Sequence, residues 1–122
     1  MAVSTTSTGG RALAEALAAH GVDTVWGIPG THNLEIYAHL PGAGIRHVSP
    51  RHEQGAGFAA DGYARVTGRP GVCITTSGPA ALNAATALGQ AYSDSVPVLA
   101  VSAGMPLRNP GRGHGELHET KD

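Results

Sequence analysis

Cysteine occurs once in these 122 residues, aromatic side chains five times, and charged residues make up only 14% of the chain. A single Cys73 excludes an internal disulfide framework and fits a reducing compartment. Eight basic residues against nine acidic ones give a net charge of -1. No basic surface is therefore available for nucleic acid or an acidic membrane. No apolar run approaches the ~20 residues of a membrane helix. The opening MAVSTTSTGG lacks the basic-then-apolar pattern of a secretory signal. These absences lead us to expect a cytoplasmic protein with neither nucleic acid nor membrane as partner. The phosphate fingerprints G-x-G-x-x-G and the Walker lysine are missing too, which argues against a generic nucleotide-binding domain.

What is present is small and apolar. Hydrophobic residues reach 41%, and glycine alone contributes 18. Small residues allow helices and sheet to approach closely, which suits an α/β layer protein. Residues 1–8 are polar and expected to be a flexible N-terminus. Leu13 and Leu17, widened by Ala14 and Ala18, predict a helix from Gly10 to His20, stopped by Gly21. Thr24–Ile28 reads as a buried strand, and Pro29-Gly30 turns the chain. Thr31 is a candidate cap for a second helix over Asn33–Leu40, which Pro41-Gly42 ends. Ile45–Val48 predicts a second strand.

Ser49 is a candidate N-cap and Pro50 a candidate first helical residue, so a third helix places Glu53 at about its fourth position and runs toward Arg65. Gly55, Gly57 and Gly62 lie inside it. Each costs roughly 1 kcal/mol against Ala, so close approach of another backbone or a ligand is expected there. Val72–Thr76 predicts a third strand. Ser77-Gly78-Pro79 repeats the cap-then-proline start, and a fourth helix runs to about Tyr92. Val96–Ser102 predicts a fourth strand, with Pro97 at its start. Strands alternating with helices predict a three-layer α/β/α domain with a parallel sheet over residues 9–103. Residues 104–122 are expected to be a loop or the start of a linker.

In such sheets ligands bind at the carboxyl ends of the strands. The loops expected there are Gly27–His32, Ser49–Glu53, Thr75–Pro79 and Ser102–Pro106, which puts Glu53 on the functional rim. Taken alone, Glu53 is an ordinary first-turn acid, favoured by the helix dipole by roughly 0.3–1 kcal/mol. Gly27-Ile28-Pro29-Gly30 taken alone is a tight turn, and Ser77-Gly78-Pro79 a helix cap able to offer backbone N–H groups. His52 is a candidate to orient Glu53, although adjacent helical residues point apart. His20, His39 and His47 read as surface or helix-end residues, and Cys73 as a buried small hydrophobe. His114 and His118 are four apart, but Gly113 and Gly115 oppose a helix and no further ligands cluster, so no metal site is expected on this chain.

Together, WGIPG (26–30), RHEQGAGFAADGYAR (51–65), TTSGPAALNAATALGQAYSDSVPVL (75–99) and GELHET (115–120) resemble the N-terminal pyrimidine-binding domain of thiamine-diphosphate-dependent enzymes. These form the acetolactate synthase, pyruvate decarboxylase and benzoylformate decarboxylase group. GTHNLEIY, RHEQGAGFAADGYARVTGRPGV and the LHE segment look most like its guanidino-oxopentanoate decarboxylase subgroup. The resemblance spans about residues 9–120. It implies that Glu53 hydrogen-bonds N1′ of the cofactor's aminopyrimidine and favours the imino tautomer, whose nitrogen takes the proton from thiazolium C2. Decarboxylation of a small 2-oxo acid follows from that activation.

The resemblance also implies that Gly27, Pro29, Gly30, Thr76, Gly78, Pro79 and Asn83 line the cofactor, with His32 and His118 on the substrate side. Here Glu119 follows His118, where pyruvate decarboxylases carry a second histidine, and Ala80 stands where many members have glycine. The family's G-D-G…Asn diphosphate motif is absent. The resemblance thus implies a diphosphate-binding domain or subunit as partner, carrying Mg2+, in a homo- or hetero-oligomer. The competing expectation is a catalytically silent domain acting as an oligomerisation or interaction module.

Overall fold

The first helix, α1 (Gly9–Ala19), starts where the Thr8 side chain accepts a hydrogen bond from the Arg11 amide. It ends in a Schellman arrangement: Gly21 takes φ +79°, its N–H reaches Ala18, and the Val22 N–H reaches Leu17. The computed structural model describes residues 7–104. The remaining elements are β1 (Thr24–Gly27), α2 (Leu34–His39), β2 (Arg46–Val48), α3 (Glu53–Thr67), β3 (Gly71–Thr75), α4 (Pro79–Ser93) and β4 (Val98–Ser102). All strand pairs are parallel, in the order β2-β1-β3-β4.

Strand periodicity sorts the core into two faces. Val25, Val72 and Ile74 point toward α1 and α2, where they pack with Ala14, Leu17, Leu40 and Ile45. Cys73, between Val72 and Ile74, points the other way and meets Ala56 and Ala60 of α3, with Trp26, Leu88 and Val98 around them. The result is the expected three-layer α/β/α arrangement. β3 is buried along its whole length, whereas β4 at the edge is half-open. No helix among the described residues is long and apolar enough to cross a membrane.

Several local expectations are corrected. Ser49 and Pro50 do not start α3. The helix begins at Glu53, capped by His52, whose backbone is extended and whose Nδ1 accepts from the Gln54 amide at 3.1 Å. An imidazole nitrogen thus does what Ser49 was expected to do, and Glu53 becomes the first helical residue. Gly78, at φ +64° and ψ -122°, occupies the cap position of α4, and no side chain caps that helix. Thr31 caps nothing: Asn33 precedes α2, and its side chain turns back into the preceding loop. β2 starts at Arg46 because Ile45 drops into the core. β4 starts only after Pro97, whose carbonyl accepts from Gly71.

The helix glycines divide. A Cβ on Gly57 would stand 2.6 Å from the Ala87 Cβ, so its absence lets α3 and α4 pack closely. A Cβ on Gly62 would meet nothing within 4 Å; the close approach expected there is not made within the described residues.

Candidate functional site

Chain order and strand order part company between β1 and β3. From β1 the chain passes through α2 to β2 on one side, then returns through α3 to β3 on the other. The loops leaving the carboxyl ends of β1 and β3 lead to helices on opposite faces of the sheet, which opens a crevice at this switch point. The two loops meet there. A Cβ on Gly30 would lie 2.5 Å from the Thr76 methyl group.

The β1 loop is Gly27-Ile28-Pro29-Gly30. Gly27 is buried, and a side chain on it would collide with the Ile74 carbonyl and the Tyr37 hydroxyl. Asn33, fully buried, closes the loop from behind: its Oδ1 accepts from the Gly30 amide at 2.7 Å and its Nδ2 donates to the Ile28 carbonyl at 3.4 Å. His47 Nε2 lies 2.7 Å from the Gly27 carbonyl, so that nitrogen carries the proton. The Tyr37 hydroxyl donates to the Ile74 carbonyl at 3.1 Å, and its ring meets the His47 ring edge-on, 4.6 Å between centroids. Burial pushes the Tyr37 phenol well above its ordinary value, which keeps it a neutral donor. Pro29 is exposed at the rim and His32 half-buried beside it.

The β3 loop carries Thr76, Gly78 and Pro79. The Thr76 carbonyl accepts from Ser102 Oγ at 3.0 Å, and the Thr75 carbonyl from the Ala103 amide at 3.2 Å, so the end of β4 steadies the loop. The left-handed backbone at Gly78 swings the chain sharply into Pro79 and α4. Glu53 stands at the mouth of α3, half-buried, and Asn83 of α4 donates Nδ2 to its Oε2 at 2.9 Å.

Two groups of expected site residues are therefore brought together: Glu53 with Asn83, and Gly30 with Thr76. Among the described residues no hydrogen bond joins the Glu53–Asn83 pair to the Gly27–Gly30 loop. His118 lies outside the described residues. His52 caps α3 through Nδ1, and among the described residues no hydrogen bond joins it to Glu53. Burial raises the Cys73 thiol, as suits an inert hydrophobe. His47, read from the sequence as an ordinary surface residue, is instead built into the back of the β1 loop, and Asn33 and Tyr37 went unnoticed. The available signal was an Asn three residues after Gly30, a spacing at which an Asn side chain bonds back to the preceding backbone. Among the described residues no three His, Cys, Asp or Glu side chains gather as a metal site.

The chain matches the family described as "Thiamine pyrophosphate enzyme, N-terminal TPP binding domain" over residues 7–122; thiamine pyrophosphate and thiamine diphosphate are the same compound. It is 62% identical over 117 residues to the probable 2-ketoarginine decarboxylase AruI of Pseudomonas aeruginosa, covering 96% of this chain and 21% of that protein. It is 52% identical over 103 residues to an acetolactate synthase of Arthrospira platensis, covering 81% of this chain and 18% of the relative. The chloroplastic acetolactate synthase of Arabidopsis thaliana is 50% identical over 100 residues, covering 81% and 15%. The chain thus spans about a fifth of the length of the curated relatives it matches. It belongs to the thiamine pyrophosphate enzymes, as an N-terminal TPP binding domain.

Proposed function

We propose that residues 9–103 form the pyrimidine-binding half of a thiamine-diphosphate site in a 2-oxo acid decarboxylase or acetolactate-synthase-like enzyme, with Glu53 as the acid that activates the cofactor. The observation that carries this reading is the placement of Glu53. It is a half-buried carboxylate at the carboxyl-end rim, with Oε2 held by Asn83 and no hydrogen bond to Oε1 among the described residues, so that oxygen can accept from a ligand.

The donor set suits an aminopyrimidine edge. A protonated ring nitrogen needs a carboxylate acceptor, and an exocyclic amino group needs a carbonyl; in the Gly27–Gly30 loop only the Pro29 carbonyl has no partner among the described residues. Bound thiamine diphosphate supplies the acidic thiazolium C–H and the electron sink that 2-oxo acid decarboxylation requires. Glu53 holds the proton at the aminopyrimidine ring nitrogen, and Asn83 keeps the carboxylate aimed. Gly27, Pro29 and Gly30 on one side, with Thr76, Gly78 and Pro79 on the other, shape the walls. His32 faces the substrate side, and His118 would join it from outside the described segment.

The chain carries no phosphate loop, so the diphosphate and its Mg2+ belong on a partner domain or subunit, within an oligomer. The relatives' names support a 2-oxo acid as the substrate class. The buried free thiol of Cys73 suits the cytoplasm.

In enzyme reconstituted with a diphosphate-binding partner, Glu53→Gln abolishes turnover and slows proton exchange at the cofactor's C2, while circular dichroism stays unchanged. Unaltered C2 exchange in that variant would sink the assignment. Absence of thiamine-diphosphate binding even to the reconstituted enzyme, by calorimetry, would favour the silent interaction module instead.

A further inference from the structure

The Gly27–Gly30 loop is held from behind, on the side away from the crevice. Three of its backbone polar groups are taken by side chains rather than by the sheet: Gly27 O by His47, Ile28 O by Asn33 Nδ2, and Gly30 N by Asn33 Oδ1. Pro29 has no N–H to satisfy, and the Gly30 carbonyl accepts from the Asn33 and Leu34 amides at 3.0 Å each. Asn33 is fully buried, and both halves of its amide are used. Among the described residues both side chains hydrogen-bond only the backbone of this loop, so each acts on the crevice through it.

We infer that Asn33 and His47 are positioning residues that lock the Gly27–Gly30 loop into a preformed wall of the cofactor crevice. The inference rests on the reading of that crevice as the thiamine-diphosphate pocket. A loop fixed before the ligand arrives does not spend binding free energy on ordering itself. The lock has two latches of different kind. Asn33 acts locally, three residues from the amide it holds. His47 acts across the sheet from β2, and its ring is kept upright by edge contact with Tyr37. Tyr37 in turn holds the Ile74 carbonyl against which Gly27 lies. The loop is thereby tied to β2 and β3 at once.

The test has two arms. In the 122-residue chain without ligand, hydrogen exchange at the Gly30 amide reports the lock directly. Asn33→Leu, which keeps the branching at Cγ and removes both bonds, is expected to speed that exchange by about tenfold or more relative to β3 amides. Because a buried substitution can unfold the domain, His47→Leu is the second variant. It is expected to speed Gly30 exchange several-fold, and His47→Gln, whose amide nitrogen lies the same number of bonds from Cβ, is expected to restore it.

In reconstituted enzyme, His47→Leu raises the cofactor KM by about tenfold and lowers kcat by less, and His47→Gln reverses the rise. Unchanged Gly30 exchange in folded His47→Leu overturns the lock, whatever Glu53→Gln does. Faster Gly30 exchange with an unmoved cofactor KM overturns the claim that the locked loop serves the cofactor. Altered C2 chemistry in Glu53→Gln alongside unmoved Gly30 exchange separates failure here from failure of the pocket reading.

Discussion

At the amino end of the strands, Arg69 pairs with Asp23 at 2.9 Å and reaches the Gly21 carbonyl. Tyr63 donates to both Asp23 oxygens, and its ring lies 5.8 Å beneath the Arg69 guanidinium. Nearby, Arg65 bridges Asp61 of its own helix and Asp94 at the end of α4. At the carboxyl end the bonds are of another kind: Asn33, His47, Tyr37 and Ser102 all reach backbone carbonyls or amides. Charged side chains clamp the floor of the domain to itself. Neutral side chains at the top shape the backbone around the crevice, and Glu53 there has an amide partner instead of a cation among the described residues. A salt bridge would consume a carboxylate that the proposed cofactor role needs, whereas an amide donor orients it and leaves an oxygen available.

The largest effect that breaks this division comes from the layer joining the two ends. Gly57 lets α3 and α4 touch, and Glu53 and Asn83 sit one on each helix. Gly57→Val forces the helices apart, costing about 1–3 kcal/mol in urea unfolding and loosening the Glu53–Asn83 contact together with stability. Cofactor binding that survives undiminished in that variant would separate top from bottom more sharply than we expect.

Smaller effects should be confined to the floor. Asp61 is buried and gives both oxygens to Arg65, so Asp61→Ala costs about 1–2 kcal/mol. Arg69→Leu removes a half-exposed pair and costs only about 0.2–1 kcal/mol. Neither should alter Gly30 exchange, and a shift of Gly30 in either variant would show that the floor and the rim communicate.

The layer order, the parallel sheet and the burial of Cys73 were legible because apolar runs and glycine stops report directly on local geometry. Glu53 was legible as a rim residue for the same reason. The start of α3 was not. Ser49-Pro50 has the right chemistry for a cap, but capping depends on which residue is extended beside the first free amides, and His52 fills that place. His47 was misread because an edge strand shows polar residues on both faces, and nothing local marks the one whose ring reaches a neighbouring carbonyl. Asn33 bonds three and five residues back into the loop while standing in front of a helix, so the helix start masked the spacing that pointed to the loop. The roles assigned to the rim by family resemblance needed chemical knowledge that no periodicity carries.

The smallest expected effect distinguishes the two ends by pH. Hydrogen bonds from Thr24 and Tyr63, with Arg69 beside them, hold the Asp23 carboxyl below its ordinary 3.8, and Arg65 with Gln90 does the same for Asp94. A carboxylate whose folded value is depressed stabilises the fold fully above its unfolded value, and that contribution fades as pH falls through the folded one. Acid should therefore erode the floor first, starting just below pH 4. Both carboxylates are exposed, so the slope is shallow. Asp23→Asn and Asp94→Asn lack this contribution at any pH. Their urea midpoints should lie slightly under the wild-type midpoint at pH 6 and converge on it toward pH 2. Midpoints that stay parallel down to pH 2 would mean the floor's ion pairs add nothing beyond their geometry, and would leave packing alone to separate the two ends.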